Sequence, residues 1–232
     1  MKKAIFAFAI LLALFISQNV FAYESDMVET TCPICGTTFE TEHVLSMSQY
    51  GMRLDLKPLG FTKAPLPLGV CPNCHFVQYT DSLSDEETAD LKSYVESDEY
   101  KSFVKDNSSY FLLGKIFEHE GRDPKTLAHI YLQASWQVED QPEKYQSYLA
   151  LVEKNLETYL GETKDQDNEW VAAQLLLGEI MRLQGKFDDA QKQFESIKDN
   201  DKFKDELLND MISFELDLIK SKDQTPQEIP GN

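Results

Sequence analysis

The chain holds four cysteines, set as two C-x-x-C pairs: "CPICG" at 32–36 and "CPNCH" at 71–75. A C-x-x-C turn puts two thiolates on one side of a tight loop. Two such loops facing each other supply four sulfurs at about 2.3 Å from a tetrahedral ion. Pro33 and Pro72 fix φ within each turn, and Gly36 suits the left-handed conformation that closes such a knuckle. The expectation is one structural Zn2+ held by Cys32, Cys35, Cys71 and Cys74. Two other chemistries share this spacing. A redox pair sits at a strand-to-helix turn, where the helix N-terminus lowers the attacking thiol's pKa; here the flanks read as loop and strand. C-x-x-C-H is also the attachment signature of c-type haem with His75 as axial ligand, a reading that leaves Cys32 and Cys35 without a role.

The elements that must position these thiols come from the surrounding pattern. "TTFETEHVL" after the first pair and "FVQYT" after the second are rich in β-branched and aromatic residues and read as strands. The Pro- and Gly-rich "LKPLGFTKAPLPLGV" between them reads as an irregular loop. A small zinc-ribbon-like β head over 23–84 follows, its boundary near "DSLSDEE" at 81–87. Residues 85–220 lack cysteine and read as amphipathic helices. Asp123-Pro124 is an N-cap followed by Pro at the first helical position, with Leu127, Ile130, Tyr131, Ala134 and Val138 on one face. A further helix starts at Pro142 and carries Tyr145, Leu149, Val152, Leu156 and Leu160 inward, with Gly161 as its expected C-cap. Residues 221–232 show no periodicity and read as a disordered tail.

An internal repeat runs through the helices. "YFLLGKIFEHEG" at 110–121 aligns with "AQLLLGEIMRLQG" at 173–185, so that Gly114 and Gly121 recur 64 residues later as Gly178 and Gly185. With Ala190 and Phe194 the second copy has the spacing of a tetratricopeptide repeat. Gln174 and Lys202 stand where that pattern has Trp and Pro, and Ala128 in the first copy arrives two places late. The expected fold is mainly α, a zinc-ribbon-like head followed by a short tetratricopeptide-like solenoid.

The double "CPxC" head, its Pro-rich insert, "YLQASW" and the repeat-like tail together resemble a family of bacterial proteins known only as a domain of unknown function. The resemblance covers roughly 29–200. It implies a zinc-binding head on the same four cysteines, with His75 where the family pattern has Gly, and it implies no activity.

The N-terminus "MKKAIFAFAILLALFISQNVFA" has a basic start, a 13-residue apolar run from Ala4 to Ile16 and small residues before Ala22. This is the form of a secretory signal cleaved after Ala22, and the run is too short for the ~20 residues of a membrane span. The expected location is periplasmic or secreted. Cleavage removes Lys2 and Lys3, leaving 20 basic against 40 acidic residues. So acidic a chain repels nucleic-acid backbones and anionic lipid.

There is no nucleophile elbow, phosphate-cradling loop or paired-His motif. "HEGRD" at 119–123 misses H-E-x-x-H by one residue, which leaves His119 a surface residue; His43 and His129 are isolated. The expectation is a non-enzymatic interaction protein that binds a protein or peptide through its repeats. Tyr110, Tyr131, Trp136 and Trp170 are groove or core aromatics, core being the plainer reading. The alternative is an envelope thiol-redox or metal-responsive protein, since neighbouring thiols pair as disulfides in an oxidising compartment.

Overall fold

The computed structural model describes residues 23–60, 63–80, 82–198 and 205–230. The leader expected at 1–22 lies outside them. Three antiparallel pairs build the head: β1 (Glu24–Thr31) with β2 (Thr38–Ser46), β3 (Gln49–Met52) with β4 (Pro58–Gly60), and β5 (Gly69–Val70) with β6 (Val77–Gln78). The first pair closes at Thr31↔Thr38 and the third at Val70↔Val77. Each C-x-x-C segment is therefore the turn of its own hairpin. The stretch expected to be an irregular loop contributes β4 and β5, both too short to carry a period-2 signal.

Eight helices follow among the described residues: α1 (Asp85–Val95), α2 (Asp98–Val104), α3 (Ser109–His119), α4 (Pro124–Trp136), α5 (Pro142–Glu162), α6 (Asn168–Leu183), α7 (Phe187–Lys198) and α8 (Glu206–Lys220). Their starts follow side-chain chemistry. Ser84 and Glu87 exchange hydrogen bonds in a capping box at α1. Asp123 accepts from the Thr126 N–H at 3.0 Å, with Pro124 in the first turn of α4. Helix α5 runs through Gly161 to Glu162, so Gly161 is not its C-cap as the sequence led us to expect. Thr163 ends it instead, donating from its hydroxyl to the Tyr159 carbonyl at 2.7 Å.

Gly114 and Gly178 do the same work in their two helices. A Cβ on Gly114 would stand 2.5 Å from the Tyr131 ring, and one on Gly178 would stand 2.6 Å from the Phe194 ring. Only hydrogen at these positions lets α3 close on α4 and α6 close on α7. Of the four aromatics considered for a groove, Tyr110, Tyr131 and Trp136 are buried. Trp170 is half-buried against a second apolar cluster made by Val171, Ala190, Phe194, Ile197, Ile212 and Ile219.

The head and the helices share one apolar core. Cys32, Ile34, Cys71, Phe76 and Val77 are contiguous with Leu91, Tyr100, Ile116 and Leu149. Polar contacts fix the docking. Asp55, fully buried, accepts from the Trp136 Nε1–H of α4 at 3.1 Å and from Arg53 Nε at 2.8 Å. Tyr79 stacks edge-on against Phe117 at 5.0 Å and donates its hydroxyl to Glu120.

The C-terminal segment departs from expectation. Residues 223–230 are not a disordered tail but a strap that runs from α8 back to the head. Arg182, fully buried, donates to the Asp223 carbonyl at 2.7 Å and the Thr225 carbonyl at 3.1 Å while pairing with Glu179 at 2.7 Å and Glu215 at 3.1 Å. The strap then bonds to the head, Leu54 N–H to the Gln227 carbonyl and Ile229 N–H to the Met52 carbonyl, both at 2.9 Å. It carries no periodicity because backbone carbonyls, not side chains, make most of these contacts.

A candidate metal centre of four thiols

The two knuckles are built alike, bond for bond. In the first, Cys32 N–H donates to the Thr37 carbonyl and Gly36 N–H to the Cys32 carbonyl; in the second, Cys71 N–H donates to Phe76 and His75 N–H to Cys71, all at 2.9 Å. Gly36 has φ +70° and His75 has φ +60°. The histidine thus occupies, by backbone conformation, the slot that glycine fills in the first knuckle. For a side chain this left-handed position costs about 1–2 kcal/mol. Tyr100 of α2 braces the strained turn by donating its hydroxyl to the His75 carbonyl at 2.8 Å.

These turns face each other. Cys32 Sγ lies 3.6 Å from Cys74 Sγ, and Cys35 Sγ lies 3.5 Å from Cys71 Sγ. All four sulfurs fall within 4.8 Å of one another. Thiolates at about 2.3 Å around a tetrahedral ion stand about 3.8 Å apart, so the donor set and its spacing fit one metal ion. The first cysteine of each pair is buried and the second half-buried, so the cluster has one protein side and one solvent side. The four cysteines named from the sequence are brought together; His75, His43, His119 and His129 do not join them. His119 instead stacks on Tyr94 at 4.1 Å and pairs with Asp90 at 2.8 Å.

The environment treats the thiols unequally. Burial pushes the Cys32 thiol up, and burial with the neighbouring thiols pushes Cys74 up further. At Cys35 burial also acts upward, but hydrogen bonds from the Thr37 side chain and backbone and from Asn73 outweigh it and lower the thiol to about 6. Thr37 Oγ1 lies 3.2 Å from Cys35 Sγ. Four unpaired thiolates packed this closely would repel one another in a partly dry site, and a bound cation removes that penalty. Thr37 and Asn73 escaped the sequence reading; the only signal was a polar residue at a hydrogen-bonding distance along each knuckle.

With this geometry in hand, comparison with known proteins gives one result. Residues 27–219 match the model of DUF2225, described as an uncharacterized protein conserved in bacteria. The chain belongs to this family. No curated protein and no solved structure matches it. The DUF2225 match spans both knuckles and all eight helices up to the last turn of α8, and it stops before the strap. No described helix is long and apolar enough to cross a membrane.

Proposed function

We propose that this DUF2225 protein is an exported, non-enzymatic interaction protein in which Cys32, Cys35, Cys71 and Cys74 hold one structural zinc ion. The helices supply the surface that engages a protein or peptide partner. The observation that carries the metal assignment is the convergence of four sulfurs from two matched knuckles. Four thiolates fill a tetrahedral ion and leave no position for substrate or water, which is the mark of a structural rather than a catalytic zinc. In finger-sized peptides such sites contribute about 10–16 kcal/mol at neutral pH. A contribution of that kind matters to the head, because the strands of its second and third pairs are only two to four residues long. Export rests on the leader at 1–22, and a partner role on the repeated helical hairpins.

Metal analysis and thiol counting on the protein purified from the periplasm test the reading. One zinc per chain, with four thiols that react only after chelation, is the expected result. Two disulfides and no metal would sink the zinc site in favour of thiol redox chemistry, and a haem absorbance would move the role to His75. Capture of a partner by cross-linking in envelope extracts is expected; none captured counts against the interaction role.

A further inference from the structure

Away from the four thiols, an apolar groove of about 420 Å³ lies between α4, α5 and α6. Its wall is made by Ala128, Ile130, Leu156, Ala172, Ala173 and Leu176. Helix α6 contributes Glu169, Ala172, Ala173 and Leu176, which at i, i+3, i+4 and i+7 form one stripe along its first half. Two alanines in that stripe create room that larger side chains would fill. The volume lies within the ~300–1,000 Å³ of ordinary ligand sites.

The head supplies the lip. Leu56 lines the groove, is 40% exposed and holds φ +66°. A leucine gains nothing locally from that backbone, which costs about 1–2 kcal/mol. It is fixed there by its neighbours: Arg53 N–H donates to the Lys57 carbonyl, Leu56 N–H to the Arg53 carbonyl, and buried Asp55 anchors the turn on Trp136. Strained non-glycine residues held by their surroundings concentrate at functional sites. Here the strain presents a large apolar side chain to the mouth of an apolar groove.

Charge selects the occupant. Lys125, His129 and Glu169 line the groove, and the helix caps Asp123 and Asp167 stand two residues before Lys125 and Glu169 in the chain. Lys125 is already spoken for, paired with Glu169 at 2.6 Å across the mouth and 5.9 Å from the Tyr159 ring centre. That pair is solvent-exposed and worth at most about 1 kcal/mol, so a ligand cation can displace Lys125 from Glu169 at little cost. The chain as a whole carries −18, which disfavours any anionic partner.

We infer that this groove, with Leu56 as its lip, docks a protein segment whose aliphatic anchors are flanked by Lys or Arg. The inference rests on the interaction reading above and names the surface and the partner chemistry. The apolar wall takes the anchors and the acidic rim takes the flanking cations.

The test uses the zinc-loaded full chain and a fluorescent peptide of about twelve residues with Leu at i, i+3, i+4 and i+7 and Lys between. Fluorescence anisotropy at about 0.15 M salt leaves specific contacts while screening distant charges. The Leu/Lys peptide is expected to bind. A Ser/Lys peptide, lacking anchors, and a Leu/Glu peptide, lacking cations, are each expected to bind about tenfold or more weakly. Ala172→Trp, at an exposed lining position, and Glu169→Lys should each weaken the Leu/Lys peptide by a similar factor, with helical circular dichroism and zinc content unchanged. Equal binding of Leu/Lys and Ser/Lys peptides would reduce the effect to bulk charge and overturn the groove. So would binding that survives Ala172→Trp, or no binding of the Leu/Lys peptide. If the cross-linked partner is still captured in that last case, the groove alone is lost; if capture also fails, the interaction reading goes with it.

Discussion

Asp55→Ala removes a carboxylate that has no exposure to solvent and that joins the head to α4. Three donors lose their acceptor: Arg53, the Trp136 indole N–H at 3.1 Å and, more distantly, Lys57 N–H at 3.3 Å. Deleting one partner of a buried ion pair costs about 3–5 kcal/mol. Arg53 retains Glu139 at 2.6 Å and is 11% exposed at its side chain, which places its share near about 3 kcal/mol. An orphaned buried N–H on Trp136 adds about 1–3 kcal/mol. The sum is about 4–6 kcal/mol, and at roughly 2–4 °C per kcal/mol for a chain of this length the midpoint should drop by about 10–20 °C. Circular dichroism melts and urea titrations measure it. Trp136→Phe completes a double-mutant cycle. Its cost should be smaller by about 1 kcal/mol in the Asp55→Ala background, because the bond it removes is already gone. A loss below about 1 kcal/mol for Asp55→Ala, or equal costs for Trp136→Phe in both backgrounds, would refute the claim that this carboxylate ties head to body.

Two further expectations come from glycine and from titration. Gly178→Ala drives a methyl to within 2.6–2.9 Å of three Phe194 ring atoms and should cost about 1–3 kcal/mol, whereas Gly161→Ala, in open space inside α5, should gain up to about 1 kcal/mol; urea midpoints of the two variants should move in opposite directions. Burial lifts the Glu215 carboxyl to about 7 against the opposing pull of Arg182, and burial with the Glu215 charge also lifts Glu179. A carboxyl whose folded pKa exceeds its unfolded value binds its proton more tightly when folded. Its contribution to stability is therefore complete below the unfolded pKa of about 4.5 and is lost as pH rises through about 7. Thermal midpoints should fall between pH 5 and pH 8, and Glu215→Gln should fall less steeply; a variant that tracks the wild type would disprove the assignment.

Much of the four-cysteine cluster was legible because its determinants are local. Cysteine spacing, Pro33 and Pro72, and Gly36 specify each knuckle within five residues. The helices were legible for a similar reason: Asp123, Pro124 and the 3.6-residue stripe act within a turn or two. What the sequence concealed is non-local. His75 reads as a chemical group in the primary structure, yet the fold uses it as a left-handed turn residue braced by Tyr100. Asp55 reads as one more acid in an acidic chain until Trp136, 81 residues away, donates to it. Gly161 misled because a glycine near the end of a helical stripe has the same local signature whether or not the helix stops there. The strap left no pattern at all, since its carbonyls are common to every residue.

The strap also sets an order of events. The backbone bonds of both knuckles lie within residues 32–76, ahead of every described helix in the chain. The bonds from Leu54 to Gln227 and from Met52 to Ile229 join segments separated by most of the polypeptide, and the entropy of closing so long a loop must be met before they reward it. Until then Arg182 has Glu179 beside it on α6 but lacks the carbonyls of 223 and 225, and the second edge of β3 stays open. The closure of this fold is therefore one that only the final residues can supply, and a chain halted before α8 would carry both knuckles on an unsealed body.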